Sequence, residues 1–316
     1  MEDYQTATRA TLSEEWKASR ALLDWMHAPN MANYVNKLVS GRELEEGGHW
    51  AIYAREKFVR ALGDHRRTGL SMVSLACGAA HIEESLLQFG WPVSRVLGLE
   101  YDSELRRAAA ERFAKIDGVE ARFEFYDFNA PHAIAEKFDL VFTCHSIHHA
   151  ADLEKFLPAI NNLLAEDGII IGIDYFGPAR FQVEYDVRPI INELDAILPD
   201  ELKHDLRFES CHVNPSFHYA TIEEVRNADV SESVRSSDLR TLLFANFPIV
   251  EIKPMGGTLL RWLLQYRAGN FNPDNPCHMS IARLLQVIER NHIEKGTIRS
   301  DDLFFVLRKS ARLGNT

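Results

Sequence analysis

The residues of this chain that could do chemistry gather just beyond successive apolar runs. Leu70-Ser71-Met72-Val73-Ser74-Leu75 leads into Ala76-Cys77-Gly78-Ala79-Ala80, a turn with almost no side-chain bulk. Ile82, Leu86, Leu87 and Phe89 then form a helical stripe that stops at Gly90. Strand, small-residue turn and helix bring backbone N–H groups and a helix N-terminus close to a ligand. Glu100 closes the next apolar run, where a carboxylate can accept two hydrogen bonds from a ribose diol. Asp127-Phe128 closes the third, placing a carboxylate for an adenine amino group and a ring for the base. The fourth run, Phe138 to Thr143, opens into Cys144-His145-Ser146-Ile147-His148-His149, where imidazoles can move a proton. Each feature has a plainer reading. Strand-end acids cap helices, Phe128 fills a core, and histidines pack.

The elements that must position these residues alternate. Strands are expected over 70–75, 95–100, 121–126, 138–143 and 169–173, with helices between them. Ser103 reads as one helix cap and Asp152 as another, the second helix ending at Asp167-Gly168. Such alternation predicts a parallel sheet with right-handed crossovers. Residues 1–67 read as an N-terminal helical cap, with a helix starting near Ser13 and another over 49–62. Residues 68–174 read as the Rossmann-like core and 175–235 as a helical lid insertion. Residues 236–316 complete the sheet with strands over 247–252 and 302–307, around a second helical insertion at about 255–296. The expected fold is therefore α/β, a seven-stranded, mostly parallel sheet with an antiparallel last strand.

Composition bounds the partners. The chain has 316 residues, 46% of them hydrophobic, and a net charge of −11. That size and apolar content suit a large core. The negative charge disfavours nucleic acid, which needs a basic footprint. Cys77, Cys144, Cys211 and Cys277 are scattered without a CxxC pair, as expected of reduced thiols in a cytoplasmic protein. The acidic start, Met1-Glu2-Asp3-Tyr4, lacks a signal-peptide h-region, and no apolar run approaches membrane-spanning length.

Taken together, the turn at 74–80, Glu100, Asp127-Phe128 and the run Phe138-Asp139-Leu140-Val141 followed by Ser146-Ile147-His148-His149 resemble a class I S-adenosylmethionine-dependent methyltransferase. The resemblance covers most of the chain and is most specific from about Leu70 to Ile173. Tyr34-Val35-Asn36, Gly177-Pro178-Ala179-Arg180-Phe181-Gln182 and Pro254-Met255-Gly256-Gly257-Thr258-Leu259-Leu260 look like a bacterial subgroup acting on small molecules. The resemblance implies S-adenosylmethionine as cofactor and S-adenosylhomocysteine as product. It implies cofactor contacts from Ser74, Ala76, Cys77, Gly78, Glu100, Tyr101, Asp127, Phe128, Cys144 and His145. One departure stands out. Ser74, Ala76, Gly78 and Ala80 occupy positions where the family has an acid and three glycines. The usual contact to the methionine end of the cofactor thus lacks its acid, and Arg55 or His81 could serve that end by another route.

The expected chemistry is in-line displacement at a sulfonium methyl, in which the protein positions and desolvates the nucleophile. His148 and His149 are the candidate bases for a protonated acceptor. Tyr53, Tyr175, Phe176, Arg180 and Gln182 are the candidate acceptor contacts, Arg180 suiting a carboxylate or phosphate. His145, His148 and His149 invite a metal-site reading, but no acidic fourth ligand is evident nearby, so no metal is expected. Two other classes fit part of the pattern. A nicotinamide-dependent oxidoreductase should show G-x-G-x-x-G, and the run here is Ala76-Cys77-Gly78-Ala79-Ala80-His81. A non-catalytic cofactor-fold protein is compatible with Ser74 and Ala80, and binding of S-adenosylhomocysteine would separate it from the others.

Overall fold

A computed structural model describes residues 24–44, 49–63, 68–207 and 218–313. The helix expected near Ser13 lies outside the described residues. Seven strands form one sheet in the order β3-β2-β1-β4-β5-β7-β6. They are β1 (Leu70–Leu75), β2 (Val93–Glu100), β3 (Glu120–Phe125), β4 (Phe138–Cys144), β5 (Leu164–Tyr175), β6 (Ile249–Gly256) and β7 (Asp302–Arg308). The first five pair in parallel. β7 is antiparallel: Arg308, at its end, donates to the carbonyl of Pro248, at the start of β6. The expected fold class holds in full.

The chain divides into two compact units, each assembled from three segments. One comprises the described parts of 50–176, 233–253 and 303–313, and holds most of the sheet. Its core is set by the period-two alternation of the strands. Val73, Leu75, Val141, Ile170 and Phe305 point to one face, where they meet Phe156, Leu157 and Ile160 of the helix Leu153–Leu163 and Leu239 and Leu243 of the helix Ser236–Asn246. On the other face, Phe142 meets Trp91, which stacks on Phe58 of the helix Trp50–Leu62. Phe304 and Phe305 show the alternation directly. Phe304 packs on Tyr53 of that same helix, and Phe305 packs on Phe176 and Phe244. The helix 50–62, read from sequence as part of the cap, groups with the sheet.

Several boundaries differ from expectation, β6 among them, which runs Ile249–Gly256 and not 247–252. The helix Ser103–Phe113 is capped by Asp102, whose carboxylate accepts from Glu104 and Leu105 N–H, so Ser103 is already inside it. The helix before β5 stops at Leu163. Asp167-Gly168 lies within the strand, where the pairing with β4 shifts register between Phe138 and Leu140.

The other unit comprises the described parts of 24–49, 177–232 and 254–302. Its helices include Met31–Ser40, Arg188–Ile197 and Pro276–Glu294. It is organised around one buried carboxylate. Glu289 is completely buried and accepts from Tyr34 Oη (2.8 Å) and from the N–H groups of Gly257 (3.1 Å), Leu259 (2.6 Å) and Leu260 (2.9 Å). Gly256 and Gly257 make this approach possible. Their φ values are +86° and +87°, and an added Cβ would lie 2.4 Å from Glu289 Oε1 or 2.7 Å from Asp302 Oδ2. Thus Tyr34 and the Gly256-Gly257 pair, far apart in sequence, form one knot.

Candidate active site

The turn after β1 is strained. Ala76, Gly78 and Ala80 all have positive φ, at 47°, 57° and 56°, a region that alanine enters only at a cost. An added Cβ at Gly78 would meet nothing within 4 Å, so open space lies over the turn. Glu100, at the end of β2, ties the turn down. Its Oε2 accepts from Gly78 N–H and its Oε1 from Asp102 N–H, each at 2.9 Å. Each carboxylate oxygen keeps a second lone pair, enough for a diol. Asp127 accepts from Asn129 N–H at 2.8 Å and is partly exposed. Tyr101 is half-buried against Phe125. Cys77 lies beneath the turn, where burial and the nearby Glu83 and Glu100 carboxylates push its thiol pKa up.

Beyond β4, a second constellation forms around Asp174. This residue is fully buried, near the end of β5, and appears nowhere among the sequence-derived candidates. Its Oδ2 accepts from Ser146 and Ile147 N–H (2.9 Å each), and its Oδ1 from Tyr175 N–H (2.8 Å) and His148 Nδ1 (2.5 Å). Burial alone would raise its pKa. The charge and hydrogen bond of His148, with His145 and the Ser146 N–H, overcome that and hold it below the ordinary value. An ionised carboxylate only accepts, so His148 keeps a proton on Nδ1 toward Asp174 in either charge state, and Nε2 is the nitrogen that gains or loses the second proton. His149 stacks on His148 with ring centroids 4.3 Å apart. His145 has φ +49° and donates its N–H to the carbonyl of Ile173, which turns the chain back beside β5. Cys144, the last residue of β4, is half-buried.

Several sequence-derived candidates have other work. Phe128 is buried against Phe156 and Tyr126, and its ring belongs to the core rather than to a base. Phe176 is likewise buried, between Phe244 and Phe305. Tyr175 is wholly buried and sets its ring edge-on to His148 at 6.4 Å. Tyr53 donates to Glu251 on β6 at 2.6 Å. Arg180 donates to the carbonyls of Val230 (2.7 Å) and Glu232 (3.3 Å), and Gln182 to those of Arg180 and Ala220. These last two side chains brace a loop in which Arg180 and Phe181 both have positive φ. His81 pairs with Arg112 on the surface, and Arg55 lies against Gly90.

A parallel sheet of this strand order, with an antiparallel seventh strand, defines a class I methyltransferase fold. Residues 73–170 match the family described as "Methyltransferase domain", and the chain carries an S-adenosylmethionine-dependent methyltransferase domain. No curated protein matches the sequence. Among solved structures, phosphoethanolamine N-methyltransferase 2 from Haemonchus contortus is similar at 14% identity and a TM-score of 0.51, over 97% of this chain and 60% of that one. An S-adenosylmethionine-dependent methyltransferase from Mesorhizobium loti is similar at 14% identity and a TM-score of 0.41, over 82% and 96%. The plantazolicin methyltransferase BpumL is similar at 13% identity and a TM-score of 0.46, over 97% and 93%. These likenesses concern the fold. The open space over Gly78 and the carboxylates at 100 and 127 suit the nucleoside part of the cofactor. Among the described residues, no helix is long and apolar enough to cross a membrane.

Proposed function

We propose that this enzyme methylates a small molecule through a nucleophile that His148 deprotonates. The observation that carries this reading is the His148–Asp174 pair. A buried, ionised Asp174 holds the imidazole in one tautomer and orientation, and stabilises the imidazolium that forms when Nε2 takes a proton. S-adenosylmethionine, when bound, supplies a methyl group already activated for displacement. The turn at 76–80, Glu100, Tyr101 and Asp127 would hold its nucleoside. Everything else falls to the protein, which must orient the acceptor, exclude water and remove one proton.

Two features support a small acceptor. His148 is only 5% exposed, so a residue on the surface of a folded polymer would not reach it. The net charge of −11 opposes RNA or DNA. Arg180 is engaged with main-chain carbonyls, which leaves the half-buried His149 as the acceptor-side group nearest the base.

The test is direct. His148→Ala should lower kcat by about 10²–10⁴ while S-adenosylhomocysteine binds nearly as before. Unchanged turnover would remove His148 from the chemistry. Incubating the enzyme with labelled S-adenosylmethionine and small-molecule extracts should give a labelled small product. Label appearing in protein or tRNA alone would overturn the assignment of acceptor class.

A further inference from the structure

Glu83 is the titratable group that the reading above leaves without a task. It sits in the first turn of the helix His81–Gln88, and its side chain turns back under the strained loop. Its Oε1 accepts from Ser74 Oγ at 2.5 Å. Its Oε2 is buried and has no hydrogen-bond partner among the described residues, nor does the carboxylate form an ion pair with any of them. Ser74 from β1, Cys77 from the turn and Glu100 from β2 face it, and none is a cation. Burial, with the Glu100 charge adding to it, raises its pKa to about 7. The carboxylate has its own main-chain N–H and Ser74 as donors, and a buried carboxylate oxygen without a hydrogen bond is costly unless something supplies one.

The cofactor carries such a donor. Glu100 and Asp127 suit its nucleoside, and its other end bears an α-ammonium group that needs an anionic acceptor. We infer that Glu83 receives the α-ammonium group of the cofactor on Oε2, with Ser74 fixing the carboxylate through Oε1. The acid that is absent from the strand at position 74 is supplied from the helix, nine residues later in the chain. The carboxylate lies in the first turn of its helix, where the N-terminal end of the helix dipole favours negative charge. Neither His81 nor Arg55 is needed: His81 pairs with Arg112, and the Arg55 guanidinium lies beside Gly90.

Calorimetric titration of the full chain with two ligands tests this. S-adenosylhomocysteine has the ammonium, and 5′-methylthioadenosine shares the nucleoside and lacks it. Glu83→Gln should weaken S-adenosylhomocysteine by about 10- to 100-fold and leave 5′-methylthioadenosine within about 2-fold. Wild-type affinity for S-adenosylhomocysteine should rise between about pH 6 and 8 as the carboxylate ionises, and the variant should lose that slope. Should Glu83→Gln fail to fold, the double variant Ser74→Asp, Glu83→Ala returns the acid to the strand, and it should regain the preference for S-adenosylhomocysteine over 5′-methylthioadenosine. Equal weakening of both ligands, or a pH slope that survives in Glu83→Gln, would show that Glu83 only supports the turn. Failure of wild type to bind either ligand would instead strike at cofactor use itself.

Discussion

Asp174 stores more of the site's organisation than any other side chain. It joins the end of β5 to the turn after β4 through two N–H groups and one imidazole, and is itself fully buried. Asp174→Asn puts an NH₂ where one of those donors now points. That leaves a buried clash of donors and no anion for the imidazolium, so stability should fall by about 3–5 kcal/mol. The folded pKa is depressed, so the ionised form stabilises the fold above the ordinary carboxylate range. That contribution disappears as pH falls through the folded value. The stability gap between wild type and Asp174→Asn, measured by urea unfolding, should therefore narrow as pH falls through the folded value, and a gap that does not change with pH would deny Asp174 this role. Glu83 has the opposite sign. Its folded pKa is raised, so its contribution is present below about pH 4.5 and is lost as pH rises through about 7. Glu83→Gln should flatten the fall in apo stability over that interval.

At this scale the sequence was informative about one half of each pair. His148 was legible because it follows a strand that ends beside the small-residue turn's strand. Asp174 was not, because it follows the wholly apolar run Ile169 to Ile173 and reads as that strand's polar end. Glu83 was hidden differently. An acid in a first helical turn already has a reason to be there, since it suits the helix dipole. Only the short contact to Ser74 reveals that the side chain points inward.

Elements were easier to read than partners. β1, β2 and β4 were visible because each holds a short apolar run with a helical segment after it, β3 because its side chains alternate, and β5 because Ile169 to Ile173 is apolar throughout. What periodicity does not reveal is which side chains tie distant elements together. Tyr34 and Gly256-Gly257 are ordinary in isolation, yet both exist for Glu289 on the helix Pro276–Glu294. Burial raises the pKa of this carboxylate, and three N–H donors and the Tyr34 hydroxyl work against the shift. Tyr34→Phe removes one charge-assisted hydrogen bond and should cost about 1.5–3 kcal/mol. Glu289→Ala leaves the hydroxyl and the amides buried without an acceptor and should cost at least about 3 kcal/mol. Urea unfolding measures both. Comparable small losses for the two variants would mean that water enters and replaces the carboxylate.

The largest scale concerns how the cofactor site is sustained. Every residue assigned to the cofactor or to the base lies between 50 and 176, a continuous stretch that contains β1 to β5. That continuity is misleading. Phe176, Ile170 and Phe156 belong to a core cluster that also contains Leu239, Leu243 and Phe247 from the helix 236–246 and its exit, and Leu303, Phe305 and Leu307 from β7. β5 is interior only because β7 pairs beside it. A fragment limited to 50–176 would expose the unpaired edge of β5 and one face of that cluster. Burying a large apolar side chain contributes about 1.5–3 kcal/mol, so losing six such partners exceeds the whole margin of a typical domain. The fragment should therefore show no cooperative thermal transition and no binding of S-adenosylhomocysteine. Adding residues 233–253 and 303–313 through linkers should restore both, because those segments complete the same compact unit. A 50–176 fragment that melts cooperatively and binds S-adenosylhomocysteine would show that the first five strands carry their own core, and that β6 and β7 serve another purpose.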